Sequence, residues 1–219
     1  MKIKFLAHSS FLLISDQGTK VITDPYKPGC FNNALRYKPI KEVADIVLIS
    51  HDHDDHNYTK DIVGSPKVIK ESGFFVIKDV EIKAIHSYHD TQKGIARGTN
   101  LIFVINIDGL RVAHLGDLGH DLDLSIFKEI GPTDILLAPV GGYFTIDAKV
   151  ASNIFNNMKP KVMIPMHYKT TAIDFPIAKV DEFLKEKQNV KKISGSEITI
   201  TKNILPQEPE IWVLKMANE

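Results

Sequence analysis

The chain opens on alternating polar and apolar positions, Lys2-Ile3-Lys4-Phe5-Leu6, and continues with the run Phe11-Leu12-Leu13-Ile14-Ser15. Alternation puts successive side chains on opposite faces of a strand. Two strands are expected here, a turn at Asp16-Gln17-Gly18, and a returning strand over residues 20–24. A polar, Pro-containing loop follows over residues 25–39. Asp45-Ile46-Val47-Leu48-Ile49 is then continuously apolar after its first residue, the pattern of a buried strand. Further short strands are expected at 67–69, 74–77 and 80–86. Residues 101–105 and 110–115 flank Asp108-Gly109, a dipeptide that favours the tight turn of a hairpin.

The rhythm changes in the second half. A helix is expected from about residue 125 to 130, stopped by Gly131-Pro132. A second covers 147–158, where Val150, Ile154 and Met158 share one face at spacing four. A short amphipathic helix is expected over 180–187. Strands are expected at 134–139, at 161–166 ending on His167, and near 197–201 and 210–214. A β-rich first part followed by alternating helices and strands gives an α/β (α+β) class. Its sheet-rich core would be covered by helices in one domain spanning residues 1–219.

Composition narrows the chemistry. Lys and Arg together number 27, as do Asp and Glu, so the balance gives no electrostatic support for nucleic-acid binding. A lone cysteine, Cys30, excludes an intrachain disulfide framework and zinc sites built on several thiolates. It is expected in a loop or at a strand edge, with no role. No apolar run is long enough to span a bilayer, and the N-terminal apolar stretch is interrupted by His8-Ser9-Ser10. A cytoplasmic protein with a small-molecule substrate is expected, with no membrane and no nucleic-acid partner; the oligomeric state is left open.

Ser50-His51-Asp52-His53-Asp54-Asp55-His56 directly follows the buried strand at 45–49. A rigid strand feeding a loop of imidazoles and carboxylates holds ligands in place, and these donors suit zinc, manganese or iron. Three more candidates follow predicted strands: His89, Asp117 and His167. If those strand ends share one sheet edge, the residues converge, as ligand sites in sheet proteins do. His86 competes with His89, because Ile82, Ala84 and His86 lie on one strand face. His114 shares a face with Val112 and Gly116, which points to the core. His8, His120 and Lys169 are candidates for substrate contact. Asp24 is either a turn residue before Pro25 or a partner that orients a ligand histidine. Asp52 and Asp54 are expected to face solvent or support the loop.

The spacing His-x-His-x-Asp-His at 51–56, His89, Gly116-Asp117 and the strand-end His167 resembles the metallo-β-lactamase-fold hydrolases over about residues 1–170. Ala7-His8-Ser9-Ser10-Phe11, Thr23-Asp24-Pro25, Ser87-Tyr88-His89-Asp90 and Arg97-Gly98-Thr99-Asn100 resemble the small metal-dependent hydrolases related to the ascorbate-6-phosphate lactonase group. The resemblance implies an αββα sandwich with two divalent metal ions, zinc first among them, in the cleft between two sheets. It implies His51, His53 and His89 on one ion, Asp55, His56 and His167 on the other, and Asp117 bridging both. Asp55 and Asp117 would be the catalytic carboxylates, and a bridging hydroxide would cleave an ester, lactone or phosphodiester. The alternatives on the same scaffold are a di-iron redox protein and a non-catalytic binding module.

Overall fold

Lys2–Ala7 (β1), Ser10–Ile14 (β2) and Lys20–Thr23 (β3) pair as an antiparallel meander. Ile46–Leu48 (β4) joins β3 in parallel, and Lys67–Ile69 (β5) joins β4 in parallel. These pairings come from a computed structural model that describes residues 1–185 and 187–219. The second sheet begins with Gly73–Ile77 (β6), Val80–Tyr88 (β7), Thr99–Ile107 (β8) and Leu110–His114 (β9), each antiparallel to the one before. It continues with Ile135–Pro139 (β10) and Val162–Met166 (β11), both parallel to β9. Val190–Lys192 (β12) and Glu210–Val213 (β14) complete its far edge, while Glu197–Thr199 (β13) crosses back to pair with β1 in the first sheet.

Strand direction is what positions the site. β1, β3 and β4 run the same way, because β2 reverses between β1 and β3. In the second sheet β7, β9, β10 and β11 likewise run together. The C-terminal ends of both sets therefore collect along one edge of the sandwich.

The alternation explains the packing. Ile46 and Leu48 of β4 join Phe5, Phe11 and Phe103 in the large core that includes the space between the sheets. Val47 and Ile49 join Tyr26, Tyr37 and Phe175 in a second apolar cluster. Both faces of β4 are buried, so its sequence is apolar without a break. Leu124–Ile130 (α2), Ala148–Met158 (α3) and Val180–Leu184 (α4) pack Phe127, Phe155 and Phe183 on the large core. Over the second cluster lie the segments around Tyr26–Ala44 and Ile173–Ile177 rather than a long helix. Cys30–Asn33 (α1) is a single turn in which Phe31 and Asn32 are left-handed, at φ 52° and 55°. Cys30 is buried there, and burial raises its thiol pKa to about 12.

The architecture matches the expected sandwich, with local differences. Asp108 and Gly109 take positive φ of 51° and 70°, as a two-residue hairpin turn requires. The helix starts are set by Asp123 and Asp147, whose carboxylates accept backbone N–H groups of the first turn. β7 runs on to Tyr88, so His86 lies inside it and is exposed. β12, with exposed Lys191 and Lys192, carries too few apolar side chains to announce itself. The helix expected over 180–187 ends at Leu184, and position 186 lies outside the described residues. Among the described residues no helix is long and apolar enough to cross a membrane.

Candidate metal centre

Each candidate ligand stands just beyond a strand whose C-terminal end reaches the shared edge. His51, His53, Asp55 and His56 follow β4, His89 follows β7, Asp117 follows β9 and His167 follows β11. His8 follows β1 and Asp24 follows β3. Hydrogen bonds tie the two sheets together here: the His167 N–H donates to the His8 carbonyl at 2.9 Å and the Leu101 N–H to that of Ser50 at 2.9 Å.

The side chains form overlapping groups. His51, His53 and His89 bring ring nitrogens within 4.8 Å of one another, and ring nitrogens of His8, His56 and His167 gather within the same distance of one another and of an Asp55 carboxylate oxygen. Asp117 lies between the groups. Its Oδ2 is 3.4 Å from His89 Nε2, 3.3 Å from His167 Nε2, 3.2 Å from His56 Nε2 and 3.9 Å from His51 Nε2. Among the described residues, His51 Nε2, His56 Nε2 and Asp117 Oδ1 are buried with no hydrogen-bond partner. Buried polar atoms are normally satisfied, so orphaned atoms converging on one point fit a bound cation. Imidazole with carboxylate is a sound donor set for a divalent transition metal.

The charge state supports this. Burial, followed by the neighbouring His56, lowers His51 to a pKa of about 3. Burial also lowers His89. These rings are neutral at pH 7 and keep a lone pair for a ligand. Burial works against a charge on Asp117, but His167 and His56 hold its pKa well below the ordinary carboxylate value. Burial likewise opposes a proton on His56, but Asp117 and Asp55 raise its pKa well above 6.5.

A shell of partners fixes these groups. Asp24 Oδ1 accepts the Ser50 N–H at 2.7 Å, while its Oδ2 accepts Ser50 Oγ at 2.7 Å and faces His56 Nδ1 at 3.1 Å. Ser50 Oγ also lies 2.9 Å from His51 Nδ1. One buried carboxylate therefore orients two candidate ligands and leaves their Nε2 atoms facing the cleft. Asn100 does the same for Asp117: its Oδ1 accepts the Asp117 N–H at 2.9 Å, and its Nδ2 donates to Ser87 Oγ and the Leu115 carbonyl.

The remaining candidates separate by position. His8 is fully buried, with Nε2 3.1 Å from Asp55 Oδ2 and its ring 4.2 Å from that of His167. Burial lowers its pKa to about 4. It stands among the ligand candidates and not out in a substrate cleft. His120 turns away: its Nε2 accepts the Tyr88 N–H at 3.3 Å and its Nδ1 donates to the Asp121 carbonyl at 2.7 Å. Lys169 Nζ donates to the Phe175 carbonyl at 2.9 Å, which ties down its own loop. His114 is in the core, with Nδ1 accepting the Gly116 N–H and Nε2 donating to the Ser9 carbonyl at 2.8 Å. Asp52 accepts Asn57 Nδ2, and Asp54 pairs with Lys27 at the surface. Sequence reasoning assigned no role to Ser50 or Asn100. The isolated amide of Asn100 at the head of an apolar strand was the available signal.

Above the donors opens a cavity of about 400 Å³. His53, Asp55, His89, Asp117 and His167 line it, together with Phe31, Phe144, Phe175 and Arg97.

Comparison with known proteins agrees with this geometry. Residues 2–167 match the model of the β-lactamase superfamily domain. A UPF0173 metal-dependent hydrolase of Carboxydothermus hydrogenoformans is 31% identical over 201 residues, covering 78% of this chain and 85% of that protein. One from Thermococcus kodakarensis is 29% identical, covering 84% and 91%. The crystal structure of a Thermotoga maritima protein assigned to the Zn-dependent hydrolases of the metallo-β-lactamase superfamily superposes with a TM-score of 0.82, at 33% identity over 98% of both chains. By its sequence match and its fold, the chain belongs to the β-lactamase superfamily, and its relatives there are metal-dependent hydrolases.

Proposed function

We propose that this metal-dependent hydrolase holds two divalent ions, zinc foremost, and cleaves an ester, lactone or phosphodiester bond of a small molecule. The observation that carries the reading is the placement of Asp117 Oδ2 between two groups of buried imidazoles whose ring nitrogens point at one another. His51, His53 and His89 would hold one ion, and Asp55, His56 and His167 the other, with Asp117 shared. When bound, such ions supply Lewis acidity, which lowers the pKa of water from 15.7 to about 7 and polarises the bond under attack.

The chain's own residues do the rest. Asp55 lines the cavity and its Oδ2 is held by His8 Nε2, so the carboxylate is fixed to orient an attacking water. Asp24 holds the rings and Asn100 the backbone that carries the shared carboxylate, so little reorganisation is needed when the reaction begins. The cleft above the donors has apolar walls around Phe31, Phe144 and Phe175, against which an apolar part of a substrate can pack.

The test is a screen of zinc-loaded protein against lactones, esters and phosphodiesters, with metal content measured per chain. We expect two ions per chain and hydrolysis of at least one class. Asp117→Asn should lose hydrolysis by a factor of about 1,000 or more while its circular dichroism is unchanged. Full activity of that variant at equal metal content would overturn the assignment, and one ion or none per chain would overturn the dinuclear reading.

A further inference from the structure

Arg97 is the one Lys or Arg among the described residues lining the cavity. It is half-buried, yet among the described residues its guanidinium makes no hydrogen bond and no ion pair. Its one recorded interaction is with an aromatic face: Cζ lies 5.7 Å from the Phe144 ring centroid, within cation–π range.

The loop that carries it is rigid. Asp90, next to the candidate ligand His89, accepts four backbone N–H groups: Gln92 and Gly94 on Oδ1, Ala96 and Arg97 on Oδ2, all between 2.7 and 2.9 Å. The His89 N–H donates to the Gly98 carbonyl, and the Gly98 N–H to that of Gly94, closing the loop on itself. Arg97 is thus fixed to the same backbone segment as a residue of the metal centre. A guanidinium offers a planar fork of donors that matches an oxyanion. Holding one in an aromatic-lined cleft without a partner leaves that fork free for a ligand.

The aromatic wall that continues from Phe144 is also built at some cost. Phe31, Asn32 and Asn33 are consecutive non-glycine residues at φ 52°, 55° and 64°, a left-handed conformation that costs energy at each. The turn presents Phe31, half-exposed, against Phe175 at 5.6 Å between centroids, and Phe175 meets Phe144 at 5.5 Å. Strained backbone that displays an aromatic ring at a cleft is where a ligand contact is expected.

We propose that the substrate is a small amphiphilic anion, with its scissile bond at the metal centre, an apolar body against Phe31, Phe144 and Phe175, and a separate carboxylate or phosphate on Arg97. The proposal rests on the hydrolase reading for the fate of the bond, but the binding it requires is independent of turnover.

The test therefore has two arms. In the first, calorimetry measures binding of adipic monoanilide and hexananilide, which differ in one terminal carboxylate, to the zinc-loaded protein, Arg97→Gln and Arg97→Lys. The wild type should bind the anionic anilide at least about tenfold tighter. The preference should vanish in Arg97→Gln and return in part in Arg97→Lys. A phosphonate in place of the carboxylate shows which oxyanion the fork prefers. In the second arm, kcat/KM is compared for mono-para-nitrophenyl adipate and para-nitrophenyl hexanoate, and the same preference should appear and vanish. Anion binding that is equally tight in Arg97→Gln would place the anion on the metals and overturn the proposal. Equal binding of both anilides by the wild type would also overturn it. If neither ester is cleaved while Arg97-dependent binding persists, esterase activity fails and the anion site stands.

Discussion

Asp24 is fully buried, and burial alone would push its pKa up, yet its contact with His56 holds it below the ordinary value. In its ionised form it orients two candidate ligands, His56 directly and His51 through Ser50. Partners of this kind set ring orientation and basicity. We therefore expect Asp24→Asn to weaken zinc affinity about 10- to 100-fold, measured by competition with a coloured chelator. His86→Ala and His89→Ala should part company in the same assay. His89 lies within ligand distance of His51 and His53, whereas His86 is an exposed strand residue. Greater metal loss in His86→Ala would refute the placement. Asp24, His8 and His167 share a feature invisible in the sequence: each has positive φ, at 39°, 56° and 50°. Such backbone is unfavourable for non-glycine residues and recurs at functional sites.

At the scale of elements, the centre depends on the loops after parallel strand ends packing without gaps. Gly119 shows how tightly. A Cβ there would fall on the backbone of His89 and Asp90, and the Gly119 N–H donates to the Tyr88 carbonyl at 2.9 Å. Gly119→Ala must push apart the loops carrying Asp117 and His89. We expect it to cost about 3 kcal/mol, a fall of about 6–12 °C in Tm, together with weakened metal binding. A stable variant with full metal content would show that the loops yield independently. These loops were not legible beforehand, although most strands were. Period-two alternation marked β1, and Asp108-Gly109 marked the β8–β9 hairpin. The α1 turn escaped because Asn32 and Asn33 tolerate left-handed backbone but do not require it, and Phe31 gives no signal for it at all.

Across the whole molecule, the centre sits where two sheets meet and is bonded to both. His114 of β9 donates to the Ser9 carbonyl in the β1–β2 turn, and His167 after β11 donates to the His8 carbonyl after β1. Ions bound by ligands from both sheets should therefore stabilise the entire fold. At zinc about 1,000-fold above its Kd, linkage gives about 4 kcal/mol, or about 8–16 °C in Tm. Differential scanning fluorimetry with zinc and then with excess chelator would measure it. An unchanged Tm would mean that the centre does not clamp the sheets.

By itself, the sequence determined the local facts: where most of the strands lie, where Asp108-Gly109 turns the chain, and that His51, His53, Asp55 and His56 leave a buried strand together. These follow from periodicity, turn chemistry and spacing, all short-range properties of the chain. The order of His89, Asp117 and His167 could also be read, through resemblance. Tertiary structure decided what converges. It moved His8 in among the ligand candidates, tied His120 and Lys169 to nearby backbone carbonyls and an amide, and recruited Ser50 and Asn100 as supports. It also faced Arg97 toward the aromatic wall. Those outcomes depend on the direction and register of strands far apart in the chain, fixed by long-range hydrogen bonds and packing that no local window of sequence contains.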